Sequence, residues 1–234
     1  MLAIDESRVN NDRMESRDLG GGNGGEINPS IRVEDVVKLG QLILKFSRVD
    51  RATLHEDGVR SETDADHTVM LAVLACSIAR ELRPDLDIGK VAQYALVHDL
   101  VEVYAGDTVT ISISEAEKKD KRRREADAFL QITNEFGNSF PWLIETIENY
   151  ESLEDIESRF VKGLDKLMPK VTHILNNGAY IRQIGMTKAG LIARYDRQNI
   201  DMSEYMYDLP EIIKLSDDMS EVFLDIMFPG STSA

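Results

Sequence analysis

The most constraining stretch of this chain is residues 66–81, where Val69, Met70, Leu71, Val73, Leu74, Ala75 and Ile78 leave a helix apolar around most of its circumference. A helix of that kind needs neighbours on several sides, so it belongs at the centre of a helical fold. Pro84 stops it. Upstream, Val36, Val37, Leu39, Leu42, Ile43, Leu44 and Phe46 fall at helical spacing and predict a helix over 33–49, followed by the polar loop ATLHEDGVRSETDA. A third helix begins near Asp87 and passes through Val91, Tyr94, Ala95, Val97, Leu100 and Val101 to Gly106, a residue suited to a left-handed helix terminus. Residues 115–136 read as a charged surface helix, 141–150 as a short one, and 153–175, 186–201 and 209–228 as further helices. Period-two alternation is scarce. Only VTISIS at 109–114 reads as strand or loop, so the expected fold class is all-α, without internal repeats.

With 234 residues, 42% hydrophobic and 29% charged, the chain has an ordinary globular balance and one core is the expectation. Residues 1–30 hold few apolar groups and end in GGGNGG at Gly20–Gly25, which predicts a flexible tail ahead of a single domain over 31–230. A phosphate-binding glycine loop would need a preceding apolar strand and a Gly-Lys-Ser or Gly-Lys-Thr ending, and neither is present. Forty-two Asp and Glu against 27 Lys and Arg give a formal net charge of −15, whose field repels polyanions and argues against nucleic acid. The longest nearly apolar stretch, 69–79, is about half of a bilayer span. No secretory signal opens the sequence, and the lone Cys76 cannot close an intramolecular disulfide, so the expected location is the cytoplasm, without a membrane partner.

Four residues point to metal chemistry. His67 opens the second helix, the pair His98 and Asp99 lies late in the third, and Asp165 sits in FVKGLDKLM among Phe160, Val161, Leu164, Leu167 and Met168. Two imidazoles and two carboxylates suit one divalent ion such as Mn²⁺, Co²⁺, Fe²⁺, Zn²⁺ or Mg²⁺. Adjacent helical residues diverge by about 100°, so His98 and Asp99 meet one ion only where it lies between their directions, at a junction with other helices. A carboxylate in the apolar company of Asp165 is costly unless it is paired, with Lys162 or Lys166, or bound to metal.

The segments ETDADHTVMLAVLA, ALVHDLVEVYAGD and VKGLDKL resemble the HD-domain metal-dependent phosphohydrolase superfamily over roughly residues 33–195. Within it the likeness is to small helical 5′-deoxynucleotidases that act on nucleoside monophosphates. The resemblance implies a helical bundle, metal ligation by His67, His98, Asp99 and Asp165, phosphate-ester hydrolysis and a homodimer. Glu102, three residues after Asp99 and four after His98, shares their helix face and can reach a water beside the ion, and the resemblance also implies a catalytic role for it. Asp107, by resemblance, faces the nucleoside or the leaving oxygen. Arg48 resembles the family's phosphate arginine, with Arg51 as the alternative, and Arg60 and Lys162 are further cationic candidates.

Some features depart from that pattern. Val49 follows Arg48 where bacterial relatives place a tryptophan against the sugar, so a preference for deoxyribose does not carry over. Asp66 stands where many relatives have Glu. His173, eight residues after Asp165, lies about 12 Å further along a helix, and His55 is in the polar loop, so the histidine count favours a single ion. The basic run EKKDKRRRE at 117–125 reads as a solvated face or a gate for an anionic substrate, and the apolar helix at 209–228 as a bundle-closing element or a subunit contact. The resulting expectation is a metal-dependent phosphohydrolase of nucleoside 5′-monophosphates. A nucleoside triphosphohydrolase and a non-catalytic nucleotide-binding scaffold are its rivals.

Overall fold

Side-chain caps start most of the longer helices. Thr63, Ser114, Asp155 and Thr187 each accept a backbone N–H three residues on, and Asp87 accepts from both Gly89 and Lys90. The computed structural model describes residues 31–108 and 114–230. Their order is α1 (Val33–Phe46), β1 (Asp50–Leu54), β2 (Ser61–Thr63), α2 (Asp64–Leu82), α3 (Ile88–Val97), α4 (Glu102–Ala105), α5 (Glu115–Phe136), α6 (Pro141–Ser152), α7 (Ile156–Leu175), α8 (Ala179–Gln183), α9 (Lys188–Ser203) and α10 (Pro210–Met227). The all-α expectation holds. The tail over 1–30 and the strand-like residues 109–113 lie outside the described residues, whereas Ser114 caps α5.

Three departures bear on function. The polar loop after α1 folds as an antiparallel hairpin, β1 with β2, pairing Asp50 with Thr63 and Leu54 with Ser61. Its tip turns at Gly58 (φ 67°), with the Asp57 carboxylate accepting the N–H groups of Val59 and Arg60. Because the hairpin begins at Asp50, α1 stops at Phe46 rather than Val49. The predicted third helix breaks after Val97, and His98 to Val101 form turns that lead into the four residues of α4. Finally, α8 is too short to leave a periodic signal.

The principal core joins α2, α3, α7 and α10 through Leu71, Ala75, Ala79, Val91, Ala95, Leu164 and Ile212. The small alanines on α2 and α3 let their backbones approach closely. α2 is less central than its composition suggests, since Val69 and Val73 are exposed. The most enclosed helix is α7, packed against α2, α3, α6, α8, α10 and β1. Inside it Pro169 lacks the N–H that would otherwise bond to the carbonyl of Asp165, four residues earlier. Among the described residues no helix is long and apolar enough to cross a membrane.

Candidate metal centre

The capping box at the start of α2 fixes the first imidazole. Asp66 Oδ2 accepts from Thr63 N and Oγ1, and Thr63 Oγ1 accepts from Asp66 N, so the short carboxylate at 66 serves the helix end. The next residue, His67, then turns inward and is buried. The break after α3 resolves the divergence of His98 and Asp99, because Asp99 lies in a turn and its carboxylate swings back toward the ring beside it. Asp99 Oδ2 lies 2.9 Å from His98 Nε2, and Asp165 Oδ1 lies 3.1 Å from His67 Nε2 and 3.8 Å from His98 Nε2. One ligand atom from each of the four residues lies within 4.8 Å of the others.

The outer atoms of the two rings test whether this set fits a metal ion. His98 Nδ1 lies 2.8 Å from the Ala95 carbonyl, an acceptor that fixes the tautomer with the proton on Nδ1 and leaves the Nε2 lone pair inward. That Nε2 is buried and makes no hydrogen bond despite its carboxylate neighbours. Behind His67, the Glu62 carboxylate is 3.7 Å from Nδ1 and accepts from Thr53 Oγ1. Two imidazoles backed by acceptors, and two carboxylates at the same point, match a divalent cation of borderline hardness.

The surrounding charge is negative. Burial pushes the Asp99 and Asp165 carboxyls up, but the His98 ring beside Asp99, and Lys166 with His67 beside Asp165, outweigh it and hold both well below the usual range. Burial would lower the His67 imidazolium, yet its bonds to Asp165 and Glu62 lift it to about 9. Asp64, fully buried at the start of α2, is pushed up to about 6 by burial and by Asp99, against the pull of Arg51. Glu102 is buried, its Oε2 has no hydrogen-bond partner, and burial with the charges of Asp99, Asp64 and Asp107 pushes it up to about 9. Asp107, half-buried just past Gly106, thus acts on the same space.

The cations are placed differently from the sequence reading. Arg48 is exposed after α1, and no side-chain bond ties it to the cluster. Arg60 is exposed at the hairpin tip, where Asp57 accepts from its Nε. Arg51 is the arginine at the centre, because the hairpin's first strand carries it inward. Its Nη1 donates to Asp64 Oδ1 (2.9 Å) and Asp99 Oδ2 (2.7 Å). Lys162 lines an adjoining cavity with its Nζ 5.1 Å from the Tyr150 ring centroid. His173 is elsewhere, stacked with Phe223 and Tyr180, and His55 reaches Asp66. Glu62, Asp64 and Lys121, whose Nζ is 3.6 Å from Glu102 Oε1, had no signal in spacing or periodicity.

Residues 43–206 match the HD-domain family. The chain belongs to that family. The 5′-deoxynucleotidase HDDC2 of Homo sapiens is 32% identical over 128 residues, 54% of this HD protein and 60% of the human one. The Danio rerio protein of the same name is 28% identical over 139 residues, 58% of this chain and 66% of its own. The chain therefore spans about three-fifths of the length of these curated relatives. Among solved structures, a predicted metal-dependent phosphohydrolase from Magnetospirillum magnetotacticum superposes with a TM-score of 0.68 at 24% identity, over 85% of this chain and 95% of that one. A conserved hypothetical protein from Pyrococcus furiosus gives 0.54 at 23%, over 78% and 99%. At these identities the likeness to solved structures concerns the fold alone, whereas membership of the HD-domain family implies a divalent metal.

Proposed function

We propose that this HD-domain protein is a metal-dependent phosphohydrolase that removes the phosphate from nucleoside 5′-monophosphates. The observation that carries the reading is the convergence of His67, His98, Asp99 and Asp165, with one ligand atom of each within 4.8 Å of the rest. The names of the HDDC2 relatives support the substrate class. In this reading the four residues hold one divalent ion, with Mn²⁺ or Co²⁺ as the first metals to test. Such an ion supplies Lewis-acid polarisation of the phosphoryl oxygens and makes nearby water more acidic.

The chain's own residues do the rest. Glu102 Oε2, buried and unpartnered beside the cluster, orients the attacking water and, where a bound cation offsets the charges of Asp99, Asp64 and Asp107 that hold its own proton, accepts the water's proton. Arg51 spends its two Nη1 donors on Asp64 and Asp99, and the three N–H groups left on its guanidinium are free to bind phosphate. The carboxylate pair also holds the guanidinium in place before substrate arrives, which lowers the entropy lost on binding. Lys162 adds a second charge on the phosphate, and Asp107 faces the nucleoside or the leaving oxygen. The single cysteine, Cys76, is free, and the cytoplasm is where we place the protein.

A panel of nucleoside 5′-mono- and triphosphates, assayed with Mn²⁺ or Co²⁺ for inorganic phosphate against triphosphate release, tests the reading. Phosphate from monophosphates is expected, and absence of both products with either metal would refute it. Within that assay, Arg51→Ala lowers kcat/KM by about 10- to 100-fold, the loss of charge-assisted phosphate bonds, while Arg48→Ala stays within about twofold. The reverse order would return the phosphate role to Arg48.

A further inference from the structure

In a chain of net charge −15, one cavity of 1210 Å³ is walled by seven lysines and arginines against four carboxylates. It runs from His98 and Val101 between α5, α6, α7 and α9. Two of its cations reach the candidate metal centre: Lys121 Nζ is 3.6 Å from Glu102 Oε1, and Lys166 Nζ is 3.3 Å from Asp165 Oδ2. The cavity and the centre are therefore contiguous.

Most of the basic run on α5 is divided between two tasks. Arg123 and Arg124 are tied to Asp120, and Arg124 also to the Ala105 carbonyl and Thr108 Oγ1. Lys121 and Arg122 line the cavity, where Lys121 bonds to Glu125 and approaches Glu102. Arg122, and Arg197 across on α9, line it with no hydrogen bond or ion pair among the described residues. Both are exposed to solvent where they line it, so they meet an entering anion as surface charges whose pull weakens with salt. Pockets for drug-sized ligands run to about 300–1,000 Å³, so a nucleotide with a single phosphate at the centre would leave much of this space unfilled, Arg122 and Arg197 with it.

We propose that the cavity binds a second phosphate of the substrate, separated from the first by at least a sugar. The substrate class is then nucleotides that carry a second phosphate on O3′, as the monoester of a nucleoside 3′,5′-bisphosphate or the diester of a 5′-phosphorylated dinucleotide. The inference rests on the nucleotidase reading for its chemistry, though its binding arm does not. Water adds to the 5′ phosphorus, the P–O5′ bond breaks, O5′ takes up a proton, inorganic phosphate leaves and the second phosphate stays attached.

The test compares thymidine 5′-monophosphate, thymidine 3′,5′-bisphosphate, 5′-phosphorylated dithymidylate and thymidine triphosphate in two assays: calorimetric binding to the full chain without metal, and phosphate release with Mn²⁺. Either doubly phosphorylated ligand should bind about tenfold tighter than the monophosphate, an advantage of one charge-assisted contact. Arg122→Ala with Arg197→Ala should erase that advantage and leave monophosphate binding and turnover within about twofold. A gain for the bisphosphate alone assigns the second site to a terminal monoester, and a gain for the dinucleotide alone assigns it to a phosphodiester with its further nucleoside. Equal binding of all four ligands, a gain for the triphosphate only, or an advantage that survives the double variant would each overturn the proposal. If the tighter binding is found but no ligand is hydrolysed, the second-phosphate site stands and the nucleotidase reading falls.

Discussion

Two of the buried charges on helix α7, Asp165 and Lys170, stand five residues apart and keep opposite company. Asp165 faces His67 and His98 and has Asp99 nearby, in a cluster to which Asp64 and Glu102 add further carboxylates and in which Arg51 and Lys166 supply the nearest cations. Lys170 faces neutral groups. Its Nζ donates to the Ser216 carbonyl (3.0 Å), Ser216 Oγ (2.5 Å) and Ser220 Oγ (2.8 Å) on α10, and lies 4.5 Å from the Tyr195 ring centroid. A lone charge satisfied by dipoles has no need of a further partner. A knot of carboxylates with orphaned oxygens does, and that need for a cation distinguishes a site from a strut.

The largest effect should follow from breaking the first of these. Asp165→Asn removes a donor from the cluster, so metal retained after gel filtration, measured by elemental analysis, should fall by at least about a hundredfold relative to wild type, above the cost of losing a supporting residue. Lys170→Met should leave metal content unchanged. If the two variants retain metal alike, the contrast drawn along α7 is false.

Glu102→Gln comes next. Phosphate release should drop by about 10²- to 10⁴-fold with the metal still bound, as for loss of a general base. The same variant probes the negative knot through stability. Glu102 holds its proton up to about pH 9 in the folded chain and sheds it near 4.5 when unfolded. Between those values the folded state binds the extra proton, so metal-free wild type loses stability as pH rises. Thermal melts of metal-free Glu102→Gln should show a shallower decline from pH 6 to 8.5, and parallel curves would remove Glu102 from the electrostatic account.

Smallest is the effect at the strut. Burial holds the Lys170 amine down to about 8, against 10.5 for a free lysine, with Asp217 opposing and Arg194 adding to the depression. Between those values the unfolded chain binds a proton that the folded chain lacks, so stability rises with pH there. Lys170→Met should flatten that rise and raise stability at pH 7 by about 1 kcal/mol, the gain from replacing a buried charge with an apolar isostere. A lower melting temperature at pH 7 with the alkaline rise intact would mean that the hydroxyl bonds, not the charge, govern stability at this position.

Amphipathic spacing made the long helices legible, and with them the four converging residues. The hydrophobic runs around His67, His98 and Asp165 both bury these side chains and announce the helices that bring them together. What the spacing could not carry was the hairpin. Its strands hold five and three residues with little alternation, so the local pattern reads as loop, and nothing in it marks Glu62 or ranks Arg51 above Arg48. By resemblance Arg48 is the phosphate arginine and Arg51 its alternative; β1 starts at Asp50, so Arg48 stays outside the hairpin and exposed, Arg51 lies within it and bonds to Asp64 and Asp99, and Arg60 is exposed at the tip. Lys121 was hidden for another reason. One lysine in a run of six basic residues is distinguishable only by what it faces across the fold.

Pro169 stands between Asp165 and Lys170 on α7. The missing rung leaves the Asp165 carbonyl without that helix N–H, at the residue whose carboxylate joins the cluster, while the helix runs on unbroken to Lys170 and Leu175.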